Sequence, residues 1–291
     1  MRPLPASARI DLHAHSWCSD GREPPAEVIG AAAAAGLDVV ALTDHDVHAG
    51  WDEADAAGQE HGLVVVPGIE VSCSWRGISV HLLAYLPDPD DPALAAELAR
   101  SRESRDSRIR RMVEGLADGG YPVTYDEVLA TAAQDATLGR PHIADVLVGN
   151  GRFASREEAF AEVLASSSPY YVSHYAPDPV RAVELVVAAG GAAVMAHPFA
   201  SARGRVVQDA VVEDMAAAGM VGLEVDHRDH GPAEREHAEA LAARLGLLRT
   251  GSSDYHGSGK PNRLGENTTS PEVLERLLTA ATGHRLLGAS P

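Results

Sequence analysis

The segments "ARIDLHA" (residues 8–14), "PPAEVIGAAAAAG" (24–36) and "LDVVALTDHD" (37–46) decide the fold class. The first and third are apolar runs that turn polar at their ends. The middle one carries Pro in its first turn and stops at Gly36, so the order reads strand, helix, strand. The pattern repeats: "WDEADAAGQEHG" (51–62) reads as a helix ended by Gly62, "LVVVPGIEVSCSW" (63–75) as one or two strands and "GISVHLLAYLPD" (77–88) as another. After residue 185 it resumes with strands "AAVMAHPF" (192–199), "VGLEVDH" (221–227) and "LLRTGSSDYHG" (247–257), a helix over 233–245 and a last helix near 271–281. Alternating units with apolar strands imply a parallel sheet covered by helices, either an α/β barrel or a doubly wound sheet.

Residues 100–185 read differently. Strand signals nearly vanish, and helical patterns with polar joints replace them: "SRESRDSRIRRMVEGLADGG", "TYDEVLATAAQ", "RPHIADVLVGNG" and "SREEAFAEVLAS". The expected organisation is therefore an α/β domain in two parts, residues 1–99 and 186–291, with an inserted helical domain over 100–185.

Composition narrows the function classes. The chain of 291 residues is 45% hydrophobic but only 4% aromatic, so its core must be built from Ala, Val and Leu. A formal charge of −18 disfavours long nucleic acids and anionic membrane surfaces, which such a surface repels. Two cysteines, Cys18 and Cys73, form no zinc signature and no disulfide framework, and read as reduced thiols. No apolar leader precedes Asp11 and no apolar run reaches spanning length, so a cytoplasmic protein with no membrane partner is expected. Walker A and G-x-G-x-x-G patterns are absent, which removes nucleotide use as an energy source or hydride carrier. Nothing in the sequence calls for an obligate protein partner.

The polar residues that interrupt the strands carry the chemistry. Side chains two apart on a strand share a face, so Asp11, His13 and His15 converge, and Asp20 follows on the adjoining loop. His-x-His on one face can offer two nitrogens to one metal ion, although two hydrogen-bonded histidines fit the same pattern. The pattern recurs at other strand ends: His45 in "ALTDHD", Glu70 in "PGIEVS", His81 in "SVHLLAY", His197 in "VMAHPF", and Asp254 and His256 in "GSSDYHG". Singly, His81 reads as a core histidine, Glu70 as a surface carboxylate and Asp254 as a turn residue. Together they fall where α/β folds place their ligand sites, and burying them without a shared partner costs several kcal/mol. A metal centre supplies that partner.

In this order, "DLHAHSWCSDG", "ALTDHD", "PGIEVS", "HLLAY", "AHP" and "GSSDYHG" resemble the motif series of the PHP (polymerase and histidinol phosphatase) superfamily of metal-dependent phosphoesterases. The resemblance covers residues 9–86 and 190–260. The helical insertion and "GRPHIA" are most similar to the branch of nucleoside 5′-monophosphate and 3′,5′-bisphosphate phosphatases. The resemblance implies a distorted (β/α)7 barrel and two or three divalent ions. His13, His15, Glu70 and Asp254 would hold one ion, and Glu70 would bridge to a second held by His81 and His197. Asp20, His45 and His256 would hold the third, with Asp20 standing where some relatives have histidine. Asp11 and Asp44 are expected to support the ligands from behind. His48 follows the "TDHD" element with no role that the sequence assigns.

Nitrogen and oxygen ligands without thiolate suit Mn, Zn or Fe. The expected reaction is attack of a metal-bound hydroxide on the phosphorus of a small phosphorylated substrate, with Asp254 as a candidate acceptor of the water's proton. Arg140 and His142 in "GRPHIA", and His230 in "HRDHG", are candidate phosphate contacts. The stripe Arg102, Arg105 and Arg108 is expected to be a solvated helix face paired with Glu103 and Asp106, although guanidinium groups also suit phosphate. The leading expectation is a phosphatase of small nucleotides: a nucleoside 5′-monophosphate, a 3′,5′-bisphosphate or the end of a short oligonucleotide. Rival readings are a histidinol-phosphate or sugar-phosphate phosphatase, an amidohydrolase-type deaminase and a non-catalytic metal-binding domain.

Overall fold

A computed structural model describes residues 5–133 and 136–289. Seven strands lie in chain order in one sheet: β1 (Ile10–Ala14), β2 (Val39–Leu42), β3 (Val64–Trp75), β4 (Ile78–Tyr85), β5 (Ala192–Met195), β6 (Gly222–Asp226) and β7 (Leu248–Gly251). A short β8 (Leu287–Gly288) adds to β3. The sheet curls until Ala14 bridges Tyr255, just beyond β7, and the result is a nearly closed, distorted barrel.

The α/β expectation holds, with one departure. β1–β3 and β5–β7 run parallel, whereas β4 is antiparallel to both neighbours. Only Arg76 and Gly77, at φ 49° and 78°, separate β3 from β4. Two residues with positive φ make a hairpin turn, and no crossover helix fits in that length.

Both faces of the sheet are apolar, as strands buried on both sides require. Val39 and Ala41, Val64 and Val66, Leu83 and Tyr85, and Ala192 and Val194 pack with Leu274 and Leu277 of the last helix (Pro271–Ala280). The alternate residues, among them Val40, Leu42, Val65, Leu82, Ala84 and Leu223, pack with Val28 and Ile29 of α1 (Pro25–Ala34) and Ala54 of α2 (Trp51–His61). Gly36 at φ 72° and Gly62 at φ 68° end these two helices in the left-handed conformation that glycine adopts without strain.

Between β4 and β5 the chain is helical: α3 (Pro92–Asp118), α4 (Tyr125–Ala130), α5 (Arg140–Gly149), α6 (Arg156–Ala159), a π-helical turn Phe160–Leu164 and α7 (Pro179–Ala188). The expected segment 124–134 ends at Gln134, outside the described residues. α3 starts where Asp91 accepts hydrogen bonds from the amides of Ala93 and Leu94, at 3.0 and 2.9 Å. It is one continuous helix of 27 residues, so the expected boundary at residues 99/100 falls inside it. Its first half packs Leu94 and Leu98 onto the barrel. Its second half packs Ile109, Met112 and Leu116 into a separate cluster with Val128, Ile143, Leu147 and Leu164. Among the described residues, no helix is long and apolar enough to cross a membrane.

Because α3 belongs to both cores, Ile109→Ala should cost about 2–5 kcal/mol, the usual penalty for emptying a filled site. Urea unfolding followed by fluorescence of Trp17, Trp51 and Trp75, all outside the helical segment, should show the loss as a lower midpoint. An unmoved midpoint would mean that the two cores unfold independently.

Candidate metal centre

Strand ends position most of the site, while Glu70 and His81 lie inside β3 and the antiparallel β4. β1 delivers His13, and the loop after it delivers His15 and Asp20. The chain beyond β2 brings His45, which bridges to Glu70 on β3. His81 comes from β4, His197 from beyond β5, and Asp254 and His256 from beyond β7. The nine side chains proposed from the sequence as metal ligands meet in one cluster, and most are fully buried.

Glu70 is its hub. Oε2 lies 3.3 Å from His13 Nε2, 3.0 Å from His15 Nε2 and 3.2 Å from His45 Nδ1. Oε1 lies 2.7 Å from His81 Nδ1 and 3.2 Å from His197 Nε2. Asp254 Oδ1 completes the first group, 3.5 Å from His13 Nε2 and 3.4 Å from His15 Nε2. Asp20 gathers the rest: Oδ1 is 3.1 Å from His256 Nε2, and Oδ2 is 3.8 Å from His45 Nε2. His45 thus stands between two groups, facing Glu70 with one nitrogen and Asp20 with the other.

The donor set fits divalent ions. His13 Nε2 and His15 Nε2 face each other at 3.0 Å. His45 Nδ1, His256 Nε2 and Asp20 Oδ1 are buried and form no hydrogen bond, although an opposite-type atom lies near each. Close but misaligned donor atoms are what a shared ion requires and what a shared proton does not.

Charge is distributed unevenly. Burial alone would raise the carboxyls of Glu70, Asp20 and Asp254. The imidazoles around them, with Lys260 and Arg203 at Asp254, outweigh it and hold all three well below the usual carboxylate range. Burial lowers His45 strongly, His197 to about 3 and His256 to about 4, so these rings are neutral near pH 7 with lone pairs to offer. Burial also works against protonation of His13 and His15, but the surrounding carboxylates prevail and lift His13 well above its ordinary value and His15 to about 9.

The supporting residues differ in part from expectation. Asp11 touches no imidazole: it accepts from the amides of Ser253 at 3.0 Å and Gly265 at 2.8 Å, tying the loop after β7 to β1. The carboxylate that holds His13 is Glu224 of β6, 3.0 Å from Nδ1, and its other oxygen accepts from the His197 amide at 2.7 Å. A carboxylate inside the apolar run "VGLEVDH" was the available sequence signal. Asp44 acts through serine. It accepts from Ser19 Oγ at 2.7 Å, and that hydroxyl lies 3.3 Å from His15 Nδ1. His197, Asp254 and Asp46 have φ of 30°, 53° and 54°, strained values for non-glycine residues, held by this bracing.

Asp254, the expected proton acceptor, is bound by cations. Its Oδ2 accepts from Arg203 and, at 3.2 Å, from Lys260. A carboxylate so stabilised is a weak base with a fixed orientation.

The expected phosphate contacts need correction. Both ring nitrogens of His230 are engaged by backbone, Nδ1 with Val225 O at 2.9 Å and Nε2 with the Phe199 amide at 3.3 Å, so it has no donor to spare. His227, three residues earlier, lies beside the cluster, its ring 5.2 Å from that of His197. It is fully buried, with an unpartnered Nε2 that lies 3.6 Å from Asp254 Oδ2. His142 is buried too, and its Nδ1 accepts from the Gly139 amide at 3.0 Å as a helix cap. Arg140 donates to Leu164 O at 2.7 Å and lies against Phe160 and Tyr171. His48 packs on Trp51, away from the cluster's contacts. The arginine stripe is not a solvated face: Arg105 and Arg108 are buried, and Arg105 Nε pairs with Asp46 Oδ2 at 3.0 Å.

Comparison with known proteins agrees with this chemistry. The PHP domain family matches residues 11–175. The chain is 38% identical over 256 residues to a 3′,5′-nucleoside bisphosphate phosphatase of Chromobacterium violaceum, covering 88% of this chain and 90% of that protein. It is 33% identical to a 5′-3′ exoribonuclease of Haemophilus influenzae, covering 85% and 90%. Among solved structures, a protein of Bifidobacterium adolescentis described as a candidate metal-dependent phosphoesterase superposes with a TM-score of 0.92 at 40% identity, covering 96% of this chain and 98% of that one.

Two outcomes follow from the geometry. Glu224→Gln should leave the chain folded and weaken Mn²⁺ or Zn²⁺ binding by about ten- to a hundredfold, the usual effect of losing a residue that orients a ligand. Metal uptake should release protons at pH 7. The raised His13 and His15 carry protons that an ion must displace, whereas the lowered His45, His197 and His256 carry none. Affinity should therefore rise between about pH 6 and 9, by roughly tenfold per unit for each proton released. Calorimetry in two buffers of different ionisation enthalpy measures that number, and a value of zero contradicts the assignment.

Proposed function

The chain belongs to the PHP domain family, and on that premise we propose that it is a metal-dependent phosphatase that removes phosphate from small nucleotides, a nucleoside 5′-monophosphate, a 3′,5′-bisphosphate or the end of a short oligonucleotide. The observation that carries this reading is the division of the Glu70 carboxylate, with one oxygen toward His13 and His15 and the other toward His81 and His197. We assign His13, His15, Glu70 and Asp254 to one ion, Glu70, His81 and His197 to a second, and Asp20, His45 and His256 to a third. Mn, Zn and Fe all suit this donor set. Bound there, such ions supply an activated water and offset charge on the transferring phosphoryl group.

The chain's own groups orient this chemistry. Glu224 fixes the His13 ring so that Nε2 faces the cluster. Arg203 and Lys260 hold Asp254 ionised and directed inward. We assign the free Nε2 of His227 to a phosphoryl oxygen, because it is a buried polar atom without a partner beside Asp254. The helical segment 100–185 is assigned the role of substrate cap. The charge of −18 repels long nucleic acids, while a small substrate needs only the local field of the site.

The deciding experiment is a phosphate-release screen with Mn²⁺ across AMP, 3′-AMP, adenosine 3′,5′-bisphosphate, short RNA and histidinol phosphate. Release from nucleotides and not from histidinol phosphate is expected, and the reverse would favour the rival phosphatase. Glu70→Ala should reduce every release by about a thousandfold or more, the several kcal/mol that metal assistance contributes. Turnover retained in that folded variant would remove Glu70 from the centre.

A further inference from the structure

The helical segment is fastened to the barrel differently at its two sides. On the β3–β4 side it is rooted: α3 packs Leu94 and Leu98 into the barrel core, Arg105 pairs with Asp46, and Pro177 O of the returning chain accepts from the Ser74 amide at 2.9 Å. On the β1–β7 side, among the described residues, no apolar cluster bridges the two parts. Ile109, Met112, Ile143, Leu147 and the residues clustered with them share no member with the barrel clusters. Polar contacts close this seam instead. The Thr137 amide donates to Cys18 O at 2.9 Å, and Asp145 of α5 lies between two arginines.

Asp145 is the centre of that contact. Arg156, at the start of α6, donates to it through Nε at 2.6 Å and Nη2 at 2.5 Å, a paired geometry that fixes the carboxylate. Arg22, on the loop after β1, donates to Oδ1 as well, so one oxygen is shared between the helical segment and the barrel. Arg156 also lies against the loop after β7. A Cβ at Gly259 would stand 2.5 Å from its Nη1, so bare backbone is what lets the guanidinium approach. Each of these loops carries a ligand assigned to the third ion, Asp20 two residues before Arg22 and His256 three residues before Gly259. Asp20 needs such outside support. Arg203 and Lys260 hold Asp254, and Glu224 holds His13, whereas the buried Asp20 Oδ1 has no hydrogen-bond partner among the described residues.

We propose that Asp145 is a positioning residue, the catch of a clasp that holds the helical segment shut over the β1 and β7 loops and keeps Asp20 and His256 close enough to share an ion. The proposal rests on the metal-centre and cap assignments above and adds what joins them. Release of the catch leaves the segment rooted only on the β3–β4 side, so the seam opens on the β1–β7 side while α3 and the barrel stay folded. A local opening of this kind has its own free energy, below that of global unfolding. The Asp145 side chain is 14% exposed and that of Arg156 11%, so the pair is worth more than a surface ion pair, and removing its negative charge leaves a guanidinium without its partner.

The test compares the wild-type protein with Asp145→Asn and Arg22→Met, without substrate. Hydrogen exchange with peptide mapping reads the seam, and the Thr137 amide reports on it directly because it bonds across to Cys18 O. Asp145→Asn should speed exchange in peptides covering 16–23 and 137–149 by about tenfold or more, the effect of one charge-assisted hydrogen bond lost, and leave β2, β3 and the first half of α3 unchanged. Calorimetry with Mn²⁺ should show one class of ion weakened by about tenfold and the others unmoved. Arg22→Met, at a side chain 40% exposed, should give the same two changes in smaller measure, and it carries the test if Asp145→Asn does not fold. Exchange that rises evenly through the whole chain, or every ion weakened alike, marks a residue that only supports the fold and overturns the proposal. Unchanged exchange at 137–149 overturns it too. Failure of the wild type to bind any ion would refute the metal-centre reading, and the exchange result then decides the clasp alone.

Discussion

A carboxylate that is 1% exposed and surrounded by five imidazoles is the constraint on which the rest of the structure depends. Glu70 could not remain ionised in an apolar interior without them, and the rings could not crowd so closely without it. Satisfying it requires contributions from β1, the loop after β2, β4 and the loop after β5. The barrel topology is what brings those segments to one end. Around this knot the chain places a ring of bonds to backbone and ring nitrogens from Asp11, Asp44, Asp46 and Glu224, which hold strained residues such as His197 and Asp254 in place.

Much of this was legible in the sequence, because a strand's period of two is strict. That period aimed His13 and His15 to one side, although β1 ends at Ala14 and His15 stands just beyond it, and polar residues closing apolar runs pointed to one end of the sheet, whereas Glu70 and His81 lie inside β3 and the antiparallel β4. What was not legible depended on contacts between distant segments. Arg105 and Arg108, three apart on a helix, fit an exposed face and a buried one equally well, and only the position of β3 and His174 beside α3 turned them inward. His227 and His230 both follow β6 closely. The rule that sites form at strand ends pointed to that loop but could not show that backbone groups occupy both nitrogens of His230. Glu224 was visible as a carboxylate in an apolar strand, yet nothing local linked it to His13, 211 residues away.

The electrostatic design opposes the overall composition. A strongly acidic chain encloses, beside its carboxylate and imidazole cluster, two buried arginines, Arg105 and Arg108. The charge of −18 belongs to the chain as a whole, while groups inside the cluster act on one another at close range in a medium of low dielectric. Overall charge and local function are therefore set at different length scales, and the sign of the first says little about the second.

The single helix α3, about 40 Å long by its rise per residue, has a consequence for engineering. Its first half packs on the barrel, and its second half carries Ile109, Met112 and Leu116 of the separate helical cluster. Recombining the helical segment with that of another homologue at the composition change near residue 100 would cut inside the helix, where each residue gained or lost rotates Arg105 and Arg108 by about 100° out of register with Asp46 and His174. Joints placed after β4 and before β5 would transplant the helix whole and keep its angular setting.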